Sequence, residues 1–254
     1  MATVSSNVHV VNAAEVPPLA ADGVLSERLV LGPHTAFEVL ELSVLECAPG
    51  RCRPRATGTA DLTLFVLSGR GRLRVDDELS YELEPDTGAH LAAGEQYELE
   101  ADEGEGLRLV AVTIPRPDPA RALGQREVVR RLADQQAQAA TTDRWFRIVH
   151  DPDSGLRSAT HFVGYIPAAR APDHFHEYDE AIYVLSGEGI FHVGDRTEVV
   201  GPGSCIQLPA RTVHCLESTG QEAMRVVAVF RPAGSPAAAY YPDGTPAYEF
   251  DSSE

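Results

Sequence analysis

FVLSGRGRLRV at residues 65–75 returns as YVLSGEGIFHV at residues 183–193, with six of the eleven positions identical at an offset of 118. The same offset pairs Pro49 with Pro167 and Pro54 with Pro172, and LRLVAV (107–112) returns as MRVVAV (224–229) at an offset of 117. A one-residue slip is what a hairpin loop of different length produces. Two copies of one unit therefore run through most of the chain. Each copy reads as all-β: FVGYIP, AIYVLSG, IFHVG, CIQLP and VVAVF are separated by Gly, Pro or Asp clusters, as in a small antiparallel sandwich or barrel. Between the copies, ARALGQREVVRRLADQQAQAA (120–140) carries Leu123, Val128, Val129 and Leu132 at near-helical intervals, which predicts a linker helix. The first ~25 residues and the tail after ~235, rich in Pro, Ala and Asp, are expected to wrap over the barrels or pair at their edges.

Composition narrows the function. The 254 residues are 43% hydrophobic and 23% charged, with a net charge of −17 from 38 acidic and 21 basic residues. That length fits one large β domain or two of about 100–150 residues. No run approaches the roughly 18 apolar residues of a membrane helix, and the N-terminus lacks the basic-then-apolar pattern of a secretory signal; a cytoplasmic address is expected. So acidic a surface repels phosphate backbones and anionic lipids, so neither nucleic acid nor membrane is expected as a partner. All 21 basic residues are arginine, which excludes Schiff-base chemistry and lysine-held pyridoxal phosphate. Cys47, Cys52, Cys205 and Cys215 form no C-x-x-C pair and read as packed thiols.

The chemistry sits in the second copy, in APDHFHEYDEAIYVLSGEG and, about 25 residues later, PGSCIQLPARTVHCLES. His174 and His176 are two apart, which on a strand turns both imidazoles to one face. Glu180 follows a short turn, and His214 stands five residues after Pro209. Three imidazoles and one carboxylate make a mixed N/O metal site with open positions, suited to Mn(II), Fe(II), Ni, Cu or Zn; Glu180 is also the candidate catalytic group. Around it, His161 and Tyr165 on the preceding strand and His192 on a neighbouring one are candidate substrate contacts. Arg170 is placed to receive a carboxylate, with Ile182, Val184, Ile206 and Leu208 as apolar lining. Asp179 and Glu177 flank the ligands, and Trp145 reads as a packing anchor.

These residues resemble the cupin superfamily. Its first motif, G-x5-H-x-H-x3,4-E-x6-G, is met by His174, His176, Glu180 and Gly187, with Ala168 for the leading glycine. Its second, G-x5-P-x-G-x2-H-x3-N, is met by Gly203, Pro209 and His214, with Arg211 for glycine and Ser218 for asparagine. The resemblance implies two tandem cupin barrels (double-stranded β-helix, jelly-roll), 1–118 and 142–254, joined by a helix-containing linker, 119–141. In the first copy the ligand positions become Ala56, Gly58, Leu62 and Tyr97, so one metal centre per chain is expected. Three His and one Glu look like the oxalate-degrading and quercetin-dioxygenase-like cupins, while the empty first barrel resembles the bicupin ureidoglycine aminohydrolases. The implied function is a metal-dependent oxygenase or related oxidoreductase on a small polar or phenolic substrate, with Mn(II) or Fe(II) foremost, in a homodimer. A Lewis-acid isomerase, decarboxylase or hydrolase and a non-catalytic small-molecule-binding barrel are the alternatives.

Overall fold

The repeated VLSG runs end the central strands of two separate sheets, and both strands are broken in the same way. In the computed structural model, which describes residues 7–19, 23–76, 79–118, 124–141 and 143–247, strand Ala60–Gly69 pairs with Leu107–Pro115, and the register skips Leu67. Strand Asp179–Ser186 pairs with Met224–Arg231 and skips Leu185, the same repeat position. A residue inserted in this way bends its strand, and both leucines pack into the core between the halves. The glycine that follows has a backbone reason to be glycine. Gly69 (φ +81°) and Gly187 (φ +86°) lie in the left-handed region, and a Cβ on Gly187 would stand 2.7 Å from the Met224 Cα. A second matched pair of skips falls at Val30 and Val149.

The first half has a six-stranded sheet in the order Val129–Arg131, Thr87–Leu91, Ala60–Gly69, Leu107–Pro115, Glu41–Cys47, Leu25–Leu31. The second half has a seven-stranded one: His9–Asn12, Ser204–Leu208, Asp179–Ser186, Met224–Arg231, Thr160–Ile166, Trp145–His150, Ala137–Ala139. Each large sheet shares an apolar core with a smaller one, built around Gly71–Val75 with Gln96–Ala101 in the first half and Gly189–Val193 with His214–Ser218 in the second. A third core, with Phe65, Val110, Val149, Val163 and Val227, joins the backs of the large sheets. The outermost strands are exchanged. His9–Asn12, which precedes the first half, pairs with Ser204–Leu208 of the second, and Val129–Arg131, which precedes the second half, pairs with Thr87–Leu91 of the first. A one-turn 3-10 helix follows each arm, at Ala13–Glu15 and Leu132–Asp134.

The fold is all-β, as expected, but the linker helix does not form. Residues 120–123 lie outside the described residues; 124–141 hold two short strands and a 3-10 turn, and the described residues contain no α-helix. The apolar side chains read as one helical face serve two cores: Val128 and Val129 pack on the interior of the first half, Leu132 on the core between the halves. Sheet pairing overrides a modest helix preference. Among the described residues no helix is long and apolar enough to cross a membrane.

Replacing Gly187 by Ala combines a left-handed backbone with a backbone clash and is expected to cost about 2–4 kcal/mol in urea unfolding. Gly58→Ala, also at positive φ (+62°) but with open space around it, should cost about 1 kcal/mol. Equal costs would show that the end of the VLSG strand has room to spare.

Candidate metal centre

The core of the second half encloses a cavity of about 100 Å³. His174 and His214 exchange both backbone hydrogen bonds across it, at 3.0 and 2.8 Å, so they are directly opposed and their side chains leave on one face. His176, two residues on, joins them, and the ligand nitrogens of the three rings lie within 4.8 Å of one another. Each ring is tied at its far side. The Nδ1–H of His174 donates to the Pro172 carbonyl (3.0 Å), that of His176 to Ala238 (2.8 Å) and that of His214 to Thr212 (2.9 Å). A carbonyl can only accept, so Nδ1 carries the hydrogen and each neutral ring presents an Nε2 lone pair. Metal-bound histidines are oriented in this way.

Electrostatics keep the donors ready. Burial drives the His176 imidazole down to about 3, assisted by the neighbouring His174, and lowers His174 and His214 as well. All three are neutral at ordinary pH, as coordination requires. Glu180 is 5% exposed and lines the same cavity, and burial pushes its carboxyl up to about 8. Its oxygens do not join the 4.8 Å group of the three imidazoles. The residues present therefore fit a divalent first-row metal, with three nitrogen donors in place and a carboxylate on the same wall.

Of the other expected contacts, Tyr165 and Ile182 line the cavity, while Val184, Ile206 and Leu208 pack in the core around it. His161 does not reach the cavity. Phe162, Gly164 and Ile166 of its strand do, which leaves His161 facing Phe65 of the first half at 5.9 Å between ring centroids. His192 also points elsewhere: Phe191 takes the cavity side and His192 hydrogen-bonds Glu217 at 2.7 Å. Arg170 is exposed and paired with Asp173 at 3.3 Å. Asp179 accepts from the Ala210 amide, and Glu177 pairs with Arg211, so both brace the ligand loops. Trp145 lines the cavity, stacked on Tyr165 at 3.5 Å, and is more than a packing anchor.

Two side chains escaped the sequence reading, and the return of the tail was foreseen only as a wrap over a barrel. Arg144 lines the cavity and donates to the Leu216 carbonyl at 2.6 Å; among the described residues no carboxylate pairs with it, and burial lowers its pKa. Nothing in TTDRWF distinguishes it from a surface arginine. Tyr178 is stacked between His176 (4.6 Å) and Phe230 (3.8 Å), yet it occupies a free position of the motif. The tail returns over the site: besides the Ala238 carbonyl, Tyr240 pairs its backbone with Phe175.

Residues 161–230 match the family model described as Cupin domain. All four proposed ligands fall inside that segment, which is part of the second copy. No curated protein matches the sequence. Among solved structures, an oxalate decarboxylase mutant of Bacillus subtilis is similar at a TM-score of 0.74 and 13% identity, over 91% of this chain and 78% of that one. A putative glyoxylate-induced protein of Pseudomonas aeruginosa gives 0.74 and 16%, over 90% of each chain. Protein Ylba of E. coli gives 0.74 and 10%, over 91% and 93%. At such identities the likeness is one of fold; with the domain match it supports the cupin superfamily.

Metal uptake should carry a proton signature. A Glu180 carboxyl at about 8 is protonated below that pH and must release its proton to ligate, whereas the depressed histidines have none to lose. Calorimetric titration of metal-free protein with Mn(II) at pH 7 in buffers of different ionisation enthalpy should register about one proton released per chain, and none at pH 9.5. Glu180→Gln should bind with no release. Release undiminished in that variant would remove Glu180 from the ligand set.

Proposed function

We propose that the chain is a metal-dependent enzyme of two tandem cupin barrels, over 1–118 and 142–254, that holds one divalent ion at His174, His176, His214 and Glu180. The observation that carries this reading is the convergence of three neutral Nε2 lone pairs, each fixed by a backbone carbonyl behind it. The reaction we favour is that of an oxygenase or related oxidoreductase on a small polar or phenolic substrate. A Mn(II) or Fe(II) ion bound there would supply a redox-active Lewis acid with positions left for substrate. The fold likeness to an oxalate decarboxylase of Bacillus subtilis described as holding Mn(II) centres agrees with such an ion. That likeness also supports the second reading, a decarboxylase.

The chain's own groups divide the remaining work. Arg144 offers a half-buried guanidinium, held by the Leu216 carbonyl and without a carboxylate partner among the described residues, as a place for a substrate carboxylate or phenolate oxygen, where a charge-assisted hydrogen bond is strong. Phe162, Ile182, Phe191 and Leu216 wall the cavity, excluding water and strengthening electrostatic contacts inside. Glu180 holds its proton near neutral pH while the site is without metal and gives it up to become a ligand. Tyr178 keeps the His176 ring from turning.

His174→Ala and His214→Ala are expected to lose stoichiometric metal, read by elemental analysis, while circular dichroism stays that of the parent. Metal retained by both variants would overturn the ligand assignment. Substrate-dependent O2 uptake in a screen of small carboxylic and phenolic compounds would support the oxygenase; turnover without O2 would select the decarboxylase. Arg144→Gln should keep its metal and raise KM for an anionic substrate by about tenfold or more.

A further inference from the structure

A second histidine triad lies outside the cavity. His90 on Thr87–Leu91, and His150 and His161 on paired strands of the second half, meet where the two large sheets abut. The ring centroids are 6.0 Å apart for His90 and His150 and 5.9 Å for His150 and His161. All three are 0–1% exposed. Both ring nitrogens of His90 and Nδ1 of His161 lack a hydrogen-bond partner, and His150 has only the Glu127 backbone near it, too weakly aligned to offset its burial. Packing is tight: a Cβ on Gly88 of the first half would come within 2.2 Å of Val149 Cγ1 of the second.

The surroundings do not welcome a positive charge. From Ala60–Gly69 comes Asp61, whose Oδ2 is 3.9 Å from His90 Nε2. Arg126 and Arg157 act on His90 and on Asp61, and Glu95 on Asp61. Arg130 acts on His150 while its guanidinium donates to the Val149 carbonyl. Three arginines and two fellow histidines thus face each ring or its neighbours, against the carboxylates of Asp61 and Glu95, and Glu95 is held by Arg126 at 2.6 Å. A proton added to this cluster would be a buried cation without an adequate partner, which is expensive.

We propose that His90, His150 and His161 form an acid-operated latch on the seam between the two halves: neutral, they let the large sheets pack back to back, and protonated, they require the sheets to part. The sign follows from burial, which lowers His90 and His161 to about 3 and His150 well below its usual value. Groups depressed in the closed form stabilise it above their unfolded pKa, roughly 6.5, and lose that contribution as pH falls toward 3. Asp61 opposes them, since burial raises its carboxyl, but as a single group it offsets at most one of three. For three histidines the opening constant rises about a hundredfold between pH 6.5 and 5.5, and each histidine removed takes away about a factor of five.

Hydrogen–deuterium exchange of the full chain, corrected for the intrinsic pH dependence, tests the latch. Amides of Ala60–Gly69, Thr87–Leu91 and Trp145–His150 should open about a hundredfold more readily at pH 5.5 than at 6.5, while the barrel interior without histidines, Gly71–Val75 with its partners Gln96–Ala101 and Leu79–Leu83, changes far less. His90→Gln and His161→Leu should each cut the seam's response about fivefold; two variants guard against one failing to fold. His174→Ala, which disturbs the cavity triad, should leave the seam's response unchanged. A seam response no steeper than that of the interiors, or one untouched by both seam variants, would overturn the proposal.

Discussion

Two large sheets packed back to back impose the condition on which everything else rests: each must be apolar on both faces. One face meets its small partner sheet, the other meets its twin. The central strands accordingly read as near-continuous apolar runs, not as alternation, a pattern more familiar from sheets covered by helices on both sides. Thr87–Leu91 and Ser204–Leu208 are buried at every position. The bulged residues Leu67, Leu185, Val30 and Val149 all turn into the shared core, so the irregularities that bend the sheets also help bind them together.

A polar side chain in so dry a frame has few choices. The chain has nine histidines, and six of them form two triads that resolve the problem in opposite ways. His174, His176 and His214 satisfy Nδ1 on carbonyls and direct the remaining lone pair into a cavity. His90, His150 and His161 open onto no such cavity and leave most of their ring nitrogens without a close partner. The difference lies in backbone geometry near the rings: loop carbonyls of Pro172, Thr212 and Ala238 are free to accept, whereas carbonyls within a closed ladder are already committed.

The repeat made the architecture readable because it preserved what the backbone demands, a bulge and a left-handed glycine, and not merely a hydrophobic average. The convergence of His174, His176 and His214 was readable because i, i+2 on an extended chain is a strong directional constraint. The same logic failed for His161 and His192. When both faces of a strand are buried, composition no longer reveals which face meets the cavity and which meets the seam. The 120–140 segment misled for a related cause, since side chains three and four apart can serve two cores on an extended chain as well as one face of a helix. Arg144 had no periodic or motif signature; its meaning comes from the missing counter-charge, a property of three-dimensional surroundings.

The exchanged arms also set a timetable. His9–Asn12 is synthesised well before the strand it pairs with, Ser204–Leu208, and the whole first half lies between them. The first half, by contrast, receives its closing strand once residue 131 has emerged. During translation this arm must wait with its backbone groups in water, and the second sheet is completed only when the arm folds back onto a strand made much later. Such long-range closure is slow and exposes unpaired edges while it lasts. A change made beside His9–Asn12 would therefore act on the second half, the one that holds the histidine-lined cavity, and not on the half it adjoins in sequence.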